Sequence, residues 1–430
     1  AFVRIKLRGV GQNGALMRTL EIAPLAFGES HNQTFARIAS DRPRGEFPRY
    51  FSPEQSYWTV VGVADDSKEG LLSSDGVLEV DKERFTLEPF LLRERGDGSG
   101  PELLSWSNAT MTQSLPKGYL PLPIVTRQHG PLSLQIQAFA FGPTGKSVLA
   151  ATYTLHNSGP ERQRGRFVLS MRPFQVNPPW QDLKTSGGIA RIDEIRWDGS
   201  AAIVTRLSPP DTKLVRFVGD NVRGIAAGFE GGESLDRIAG MRFEELATDT
   251  VQDATGLANG AFVVEFDLGS GEKREWAVVV PLHDAGDLPV LANAPALEAI
   301  ASLARERDLV SSWWVDQLNL VRLELPPSGS ALADTFRTSQ AHILINRDGP
   351  AIQPGSRTYE RSWIRDGCLT SSALLATGHT ERVREFIDWY APYQYASGKV
   401  PCVVDKRGPD PVPEHDSHGQ LIYLLRKYYV

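Results

Sequence analysis

The period of the hydrophobic pattern changes once along this chain, and this change constrains the fold more than any other feature. Up to about residue 282, apolar residues alternate with polar ones, as in Leu132–Phe139 and Ser147–Leu155. Such alternation is typical of strands. After about Pro295 the apolar residues recur at helical spacing, beginning with residues 296–314. The sequence therefore predicts a β-rich part followed by a helical part.

Turn signals divide the β-rich part at spacings typical of an antiparallel sandwich. The segments Gly-Pro-Thr-Gly at 142–145 and Asn-Ser-Gly-Pro at 157–160 separate predicted strands. So many strands exceed a small immunoglobulin-like unit, and we expect one large antiparallel β-sandwich rather than two smaller ones in series. Further strands are predicted at 165–171, 261–266 and 275–280.

The helical part is set off by Pro326 and Pro327. Neither proline can donate a ladder hydrogen bond or continue a helix, so we place a domain boundary there. We expect a β-sandwich domain over 1–292, a helical linker over 293–329 and helical hairpins over 330–430. The helices are predicted at 331–346, 363–377, 380–393 and 416–429, with Gly378 ending the second.

Composition excludes several classes of function. The net charge is -6, and no Lys/Arg run is dense enough to bind a polyanion, so we expect neither a nucleic-acid nor a membrane partner. No apolar stretch approaches the roughly 20 residues that cross a bilayer. The first residues lack a signal-peptide pattern, and we expect a soluble protein, favouring the cytoplasm over export. The excess of Arg over Lys suggests a bacterial source.

The two cysteines, Cys368 and Cys402, cannot form a disulfide framework. The sequence does not exclude a single disulfide bridge between them.

We expect no cofactor.

A polar and aromatic cluster, residues 359–367, precedes an otherwise apolar helix. Sugars offer hydroxyl groups and flat C–H faces, so a sugar site needs a stacking ring together with carboxylate and guanidinium groups. Trp363, Arg365 and Asp366 supply this set. The alternative is that Asp366 is only a helix N-terminal anion and that Arg361 and Arg365 lie together on the helix surface at i, i+4 spacing.

A second polar cluster precedes the apolar helix at 421–425. Asp416 or Ser417 can cap this helix. The alternative is that Glu414 or Asp416 acts in general acid/base catalysis or forms part of a sugar site. We expect no metal site, because the two imidazoles lack a helix zinc spacing and no thiol joins them. The cluster consists of Glu414, His415, Asp416, Ser417, His418 and Gly419.

Other aromatic segments are predicted to be structural. The rings of 388–395 are expected in the core, although Lys399, which follows the Gly398 turn, is a candidate sugar contact. The proline-rich loops at 118–123 and 172–180 are expected to pack on sandwich edges.

The chain resembles the six-hairpin glycosidases, which include glucoamylases, sugar phosphorylases, trehalases and rhamnosidases. In glucoamylase-like members a Trp-x-Arg-Asp element opens an inner helix of an (α/α)6 barrel, and here it is matched by Trp363-Ile364-Arg365-Asp366. The segment 414–419 resembles the polar stretch before the next inner helix. The resemblance implies a multidomain β + α protein, with an N-terminal β-supersandwich, a helical linker and the first hairpins of the barrel.

The resemblance also implies an activity. We expect a glycoside hydrolase that uses two carboxyl groups and inverts the anomeric centre, with a glycoside phosphorylase or a non-catalytic carbohydrate-binding protein as alternatives. About four barrel helices are predicted where the family has twelve, so the principal carboxylates are expected on later hairpins, beyond Val430, and a further chain or segment would complete the barrel. The candidate catalytic residues are Glu414 and Asp416, and the candidate substrate-binding residues are Arg361, Trp363, Arg365, Asp366, Lys399 and His415.

Overall fold

The computed structural model describes residues 30–181, 186–246, 250–284 and 294–430, together with two short strands near the start of the chain. These two strands, β1 (Ile5–Arg8) and β2 (Thr19–Ile22), pair antiparallel. In the described ranges, no helix is long and apolar enough to cross a membrane.

Two large sheets dominate the β-rich part. Their strands are β3 (Trp58–Val61), β4 (Gly70–Ser73), β5 (Leu78–Glu79), β6 (Thr86–Arg93), β7 (Glu102–Leu104), β8 (Thr110–Ser114), β9 (Ile124–His129), β10 (Leu132–Phe141), β11 (Val148–Asn157), β12 (Gln163–Arg172), β13 (Glu194–Asp198), β14 (Ala201–Leu207), β15 (Pro210–Val218), β16 (Arg223–Ala227), β17 (Val251–Gln252), β18 (Asn259–Leu268) and β19 (Lys273–Pro281). One sheet has nine strands in the order β17-β13-β14-β15-β19-β11-β10-β9-β8, and the other has eight, in the order β16-β18-β12-β6-β5-β4-β3 with β7 beside β6.

The two sheets pack face to face around one apolar core. Tyr153 and Trp276 from the nine-stranded sheet lie in the same buried cluster as Phe167 and Phe262 from the eight-stranded one. The rings of Phe167 and Trp276 stack with centroids 4.8 Å apart. The strand pairs are antiparallel, as in the register that joins Leu132 of β10 to Asn157 of β11. The predicted antiparallel architecture and the strands named from the sequence are therefore confirmed.

Among the described residues, two α-helices interrupt the β-rich part, where the alternating pattern predicted strands. They are α1 (His31–Ser40) and α2 (Ser234–Gly240). The first begins at a capping box, in which Ser30 accepts from the Gln33 amide and the Gln33 side chain accepts from the Ser30 amide. Its Phe35 packs on Phe174 with ring centroids 4.9 Å apart. The capping box and the packing of Phe35 thus stabilise a helix here, although the surrounding sequence has the pattern of strands.

The first helix after the sandwich packs on the outer face of the nine-stranded sheet. Helix α3 (Ala296–Leu318) contacts β10, β15 and β19, and it buries Leu303 and Trp314 in a cluster with Phe139 and Val279 of the sheet. The remaining helices are α4 (Ser330–Ile345), α5 (Ile364–Ala376), α6 (Thr380–Tyr390) and α7 (Ser417–Tyr429). Helix α4 contacts β3 of the other sheet.

The helix predictions agree with these bounds to within a few residues. Gly378 adopts a φ of 87° just after α5, as expected of a residue that ends a helix. The third helix stops at Tyr390 rather than Tyr393, because the chain tightens into a 3-10 turn over Ala391–Tyr393 that contains Pro392.

Both cysteines are free and buried, so the bridge that the sequence left open does not form. The Cys368 thiol donates to the carbonyl oxygen of Gln420 at 3.3 Å, and the Cys402 thiol donates to that of Val412 at 3.4 Å. Burial raises the pKa of Cys368 to about 11. Both thiols therefore act as packing groups.

The Phe167–Trp276 stack provides a test of the core. Trp276 is 1% exposed, so Trp276→Ala should lower the free energy of unfolding by about 3–5 kcal/mol through lost contacts and a residual cavity. Chemical denaturation measures the change. Trp180→Ala is the matched control, because Trp180 is 52% exposed and its loss should cost less than about 1 kcal/mol. Equal losses would contradict the assignment of the core.

Candidate functional site

The first turns of α5 and α7 meet at one surface through Arg365. Its Nε donates to Oδ2 of Asp416 at 2.6 Å, and its Nη2 donates to Oε2 of Glu414 at 2.6 Å. One turn further along, the Cys368 thiol contacts the backbone of Gln420. The two helices therefore run side by side in the same direction, and residues predicted from separate clusters come together at their N-termini.

The Arg365 cluster is open to solvent. The side chains of Arg365, Glu414 and Asp416 are 46%, 35% and 38% exposed. The hydrogen bond from Arg365 lowers the pKa of Asp416 and raises that of the guanidinium. Asp416 is therefore a carboxylate at neutral pH. Because these ion pairs are solvated, they set local charge and geometry more than they stabilise the fold.

Side-chain capping of α7, predicted for Asp416 or Ser417, is not found among the described residues. Asp416 occupies the N-cap position, but its side chain makes no capping hydrogen bond, because its carboxylate binds Arg365 instead. The hydroxyl of Ser417 is buried, and no described residue forms a hydrogen bond with it. The Asp416 side chain therefore contributes to the contact between α5 and α7 and does not cap α7.

The other end of α7 lies away from this surface. Val430 occupies the C-cap position of the helix and is 88% exposed. The two carboxylates that bind Arg365, those of Glu414 and Asp416, both precede the helix. The expectation that the principal catalytic carboxylates lie beyond Val430 stays a prediction.

Asp366 lies in the first turn of α5, and its side chain is half-buried. No hydrogen bond or ion pair among the described residues engages its carboxylate. Asp366 thus combines a fixed backbone with a carboxylate that can accept hydrogen bonds from a ligand.

Arg361 and Trp363 lie just before α5. The Arg361 guanidinium lies over the Trp363 ring at 5.4 Å and donates to Asp405 at 2.9 Å and to Asp410 at 3.1 Å. The alternative that Arg361 and Arg365 share a helix surface is wrong, because Arg361 precedes a strand. Tyr359, which is 54% exposed, has its ring centroid 6.4 Å from that of Trp363.

A small three-stranded sheet holds this segment, and it was not predicted from the sequence. It consists of β20 (Ser362–Trp363), β21 (Val403–Asp405) and β22 (Gly408–Pro409). The Asp-Lys-Arg-Gly run at 405–408 was the available signal, because such residues favour tight turns. Hydrogen bonds from Arg407, and then from Arg361, lower the pKa of Asp405.

Lys399 and His415 lie on loops beside this surface. The Lys399 ammonium donates to the carbonyl oxygen of Pro411 and lies 5.5 Å from the Tyr395 ring centroid. It therefore fixes the chain that leads to Glu414. His415 is exposed. Tyr390, from the segment predicted as core, is buried and donates to the carbonyl oxygen of Pro401 at 3.1 Å, which confirms the prediction for that ring. Trp389 and Tyr393 are only partly buried against the same cluster.

A group of buried charges beneath the site was missed in the sequence. Arg357 donates to Glu79 at 2.6 Å and to Glu69 at 3.2 Å, and all three side chains are at most 2% exposed. Burial raises the pKa of Glu69 to about 7, against the opposing charges of Lys82 and Arg357. No pattern in the sequence marks these residues, because their partners lie far apart along the chain.

In the described ranges, no group of three or more His, Cys, Asp and Glu side chains is arranged to hold a metal ion. The surface around α5 and α7 instead offers carboxylate acceptors and guanidinium donors, together with the rings of Tyr359 and Trp363. This set matches the hydroxyl groups and apolar faces of a sugar.

Comparison with known structures gives a match in fold. A bacterial glucoamylase in complex with acarbose superimposes with a TM-score of 0.61 at 12% identity, over 87% of this chain and 57% of the glucoamylase. The chain thus spans little more than half the length of that protein. At this identity the likeness shows the fold alone, and the described residues have a glucoamylase-like fold, as the resemblance implied.

Two further matches are weaker. A protein described as a kojibiose phosphorylase from the human microbiome gives a TM-score of 0.44 at 8% identity, over 87% of this chain and 49% of that one. A GH92-family glycosyl hydrolase gives 0.31 at 10% identity, over 86% of this chain and 54% of that one. Both scores are too low to define a shared fold. No family model and no curated protein matches the sequence.

The Arg365–Asp416 pair predicts a measurable change in proton affinity. In Arg365→Gln the pKa of Asp416 should rise toward its ordinary value, because the hydrogen bond from the guanidinium is the main cause that lowers it. Carboxyl-carbon NMR titration measures the shift. The control is Arg407→Gln, which removes a partner of Asp405 and should leave Asp416 unchanged. An unchanged Asp416 in the Arg365 variant would mean that the pair does not form in solution.

Proposed function

We propose that this chain belongs to a carbohydrate-active enzyme, a glycoside hydrolase, and that the surface around the first turns of α5 and α7 binds the sugar. The observation that carries the proposal is the half-buried carboxylate of Asp366, which no described residue engages and which follows Trp363 and Arg365 at the start of α5. The glucoamylase-like fold supports it, because Trp363-Ile364-Arg365-Asp366 then opens a helix of the expected kind.

In the proposed site each group has a separate task. Asp366 accepts hydrogen bonds from sugar hydroxyls, and Arg365, already oriented by two carboxylates, donates to them. Trp363 and the exposed Tyr359 offer ring faces to the apolar side of the sugar. Lys399 contributes indirectly, by holding the loop that leads to Glu414. Arg361 orients the Trp363 ring. The exposed His415 borders the same surface.

The proposed reaction is hydrolysis by two carboxyl groups, with inversion at the anomeric carbon. Glu414 and Asp416 are the candidate carboxylates within these residues. The lowered pKa of Asp416 suits an ionised group rather than a proton donor. We further propose that the principal acid and base lie on additional hairpins, supplied by a further segment or chain. Exposed apolar side chains on α5 and α7, such as Leu369 and Ile422, support such a partner.

Asp366→Asn tests the sugar site in the native full-length gene product. Loss of a charged hydrogen-bond acceptor should weaken sugar binding by about 1.5–3 kcal/mol, or roughly 10- to 150-fold, with thermal stability unchanged. Calorimetric titration with acarbose, followed by a panel of oligosaccharides, measures the affinity. Asp388→Asn is the control, because Asp388 is exposed on α6. Unchanged affinity in the Asp366 variant would refute the site.

Product analysis tests the reaction type. Oligosaccharides incubated with the native protein should release free sugar of inverted anomeric configuration, at a rate independent of inorganic phosphate, because water is the proposed nucleophile. NMR identifies the anomer and any sugar phosphate. Turnover that requires phosphate would replace hydrolysis by phosphorolysis. Saturable binding with no turnover under either condition would favour a carbohydrate-binding protein.

A further inference from the structure

Arg357 is held in an unusual backbone conformation inside the protein. Its side chain is 2% exposed and its φ is 64°, in the left-handed region that favours glycine. For a non-glycine residue such a conformation costs free energy and persists only where the surroundings determine it. The groups around Arg357 therefore have to supply that determination.

Those groups lie in or beside the eight-stranded sheet, since Glu79 ends β5 and Glu69 immediately precedes β4. Nε of Arg357 donates to Oε1 of Glu79 at 2.6 Å, while Nη1 donates to Oε1 of Glu69 at 3.2 Å and Nη2 donates to the Glu69 carbonyl oxygen at 3.2 Å. The second oxygen of Glu79 accepts from the amides of Val176 and Asn177, at 2.7 and 3.2 Å. Backbone amides of the sandwich thus hold the Glu79 carboxylate in place independently of Arg357.

A second contact, from the turn between β5 and β6, holds the residues that follow. Nζ of Lys82 lies 3.3 Å from Oε1 of Glu360 and 3.2 Å from Oε2 of Glu69. The short segment from Arg357 to Trp363 is therefore held on the side of the sandwich by the buried ion pairs of Arg357 and by the partly buried pair of Glu360 with Lys82. On its other side, Trp363 pairs with Val403 in the small sheet.

We propose that Arg357 is a positioning residue of the sugar site, held by Glu69 and Glu79 so that Tyr359 and Trp363 present their rings at the surface where α5 begins. The inference rests on the proposed function, and it deepens it by giving the β-sandwich a part in recognition. A buried guanidinium that lost one carboxylate would be left with an uncompensated charge, so the segment would shift rather than keep its place.

The test separates the side chain from the backbone. Arg357→Gly retains easy access to a φ of 64° and removes the ion pairs, and Glu79→Gln keeps the shape of the carboxylate and removes its charge. Both should weaken acarbose binding at least tenfold in the native full-length protein. Arg357→Lys, which keeps a positive charge but not the two-pronged guanidinium, should recover part of the affinity lost in the glycine variant.

Arg382→Gln is the matched control. Arg382 on α6 also pairs with the sandwich, through Asp65 at 3.0 Å, and its other hydrogen bonds go to Gln317 and His379 rather than to residues 357–363. The substitution should lower the melting temperature by a similar amount and leave acarbose affinity within twofold. Hydrogen exchange supplies a readout without ligand, since amides of residues 358–366 should exchange faster in the Arg357 and Glu79 variants and not in the control.

The outcomes distinguish the two proposals. If Asp366→Asn loses affinity while Arg357→Gly and Glu79→Gln retain it, the positioning role is overturned and the sugar site stands. The positioning role is also overturned if Arg382→Gln loses as much affinity as the Arg357 variants, because general destabilisation then explains the loss. If the wild type binds no sugar, the proposed function and the inference fail together.

Discussion

The central strands of the nine-stranded sheet are buried on both faces, and the rest of the structure depends on this double burial. Along β19, Trp276 and Val278 face the second sheet, whereas Ala277 and Val279 face the helices. Neighbouring β11 divides in the same way, with Ala151 turned inward and Ala150 turned outward. Successive side chains of a strand point to opposite faces, so one sheet belongs to two cores. The small residues on the outer face let α3 lie close to the strands.

This arrangement explains why the sequence predicted the architecture well. Strand segments with one buried face alternate, as in the first half of β10, and helices with one buried face repeat near every fourth residue, as in α6, so the sequence shows both periods. Residues 276–280 are instead apolar at every position, which is the pattern of a strand buried twice. Helix α1 was missed because its start depends on a cap at Ser30 rather than on a period.

The residues of the candidate site also differ in how well the sequence predicts them. Arg365, Glu414 and Asp416 could be selected from the sequence because polar residues ahead of apolar helices stand out, and the structure brings them together. Their mutual hydrogen bonds could not be foreseen, since the residues are separated by about fifty positions and meet only because α5 and α7 run in parallel. Arg357 is harder still, because its partners Glu69 and Glu79 lie in another part of the chain and its backbone conformation has no signature in composition.

Helix α3 connects the sandwich to the later helices along the chain, yet in space it is a core element of both. Its buried Leu303 and Trp314 share one apolar cluster with the sheet and with Leu344 of α4. A connection of this kind cannot serve as a hinge, since bending it would open an apolar interface on each side. The sandwich and the helical part therefore share a core, and a destabilising change in either part also weakens the packing of the other.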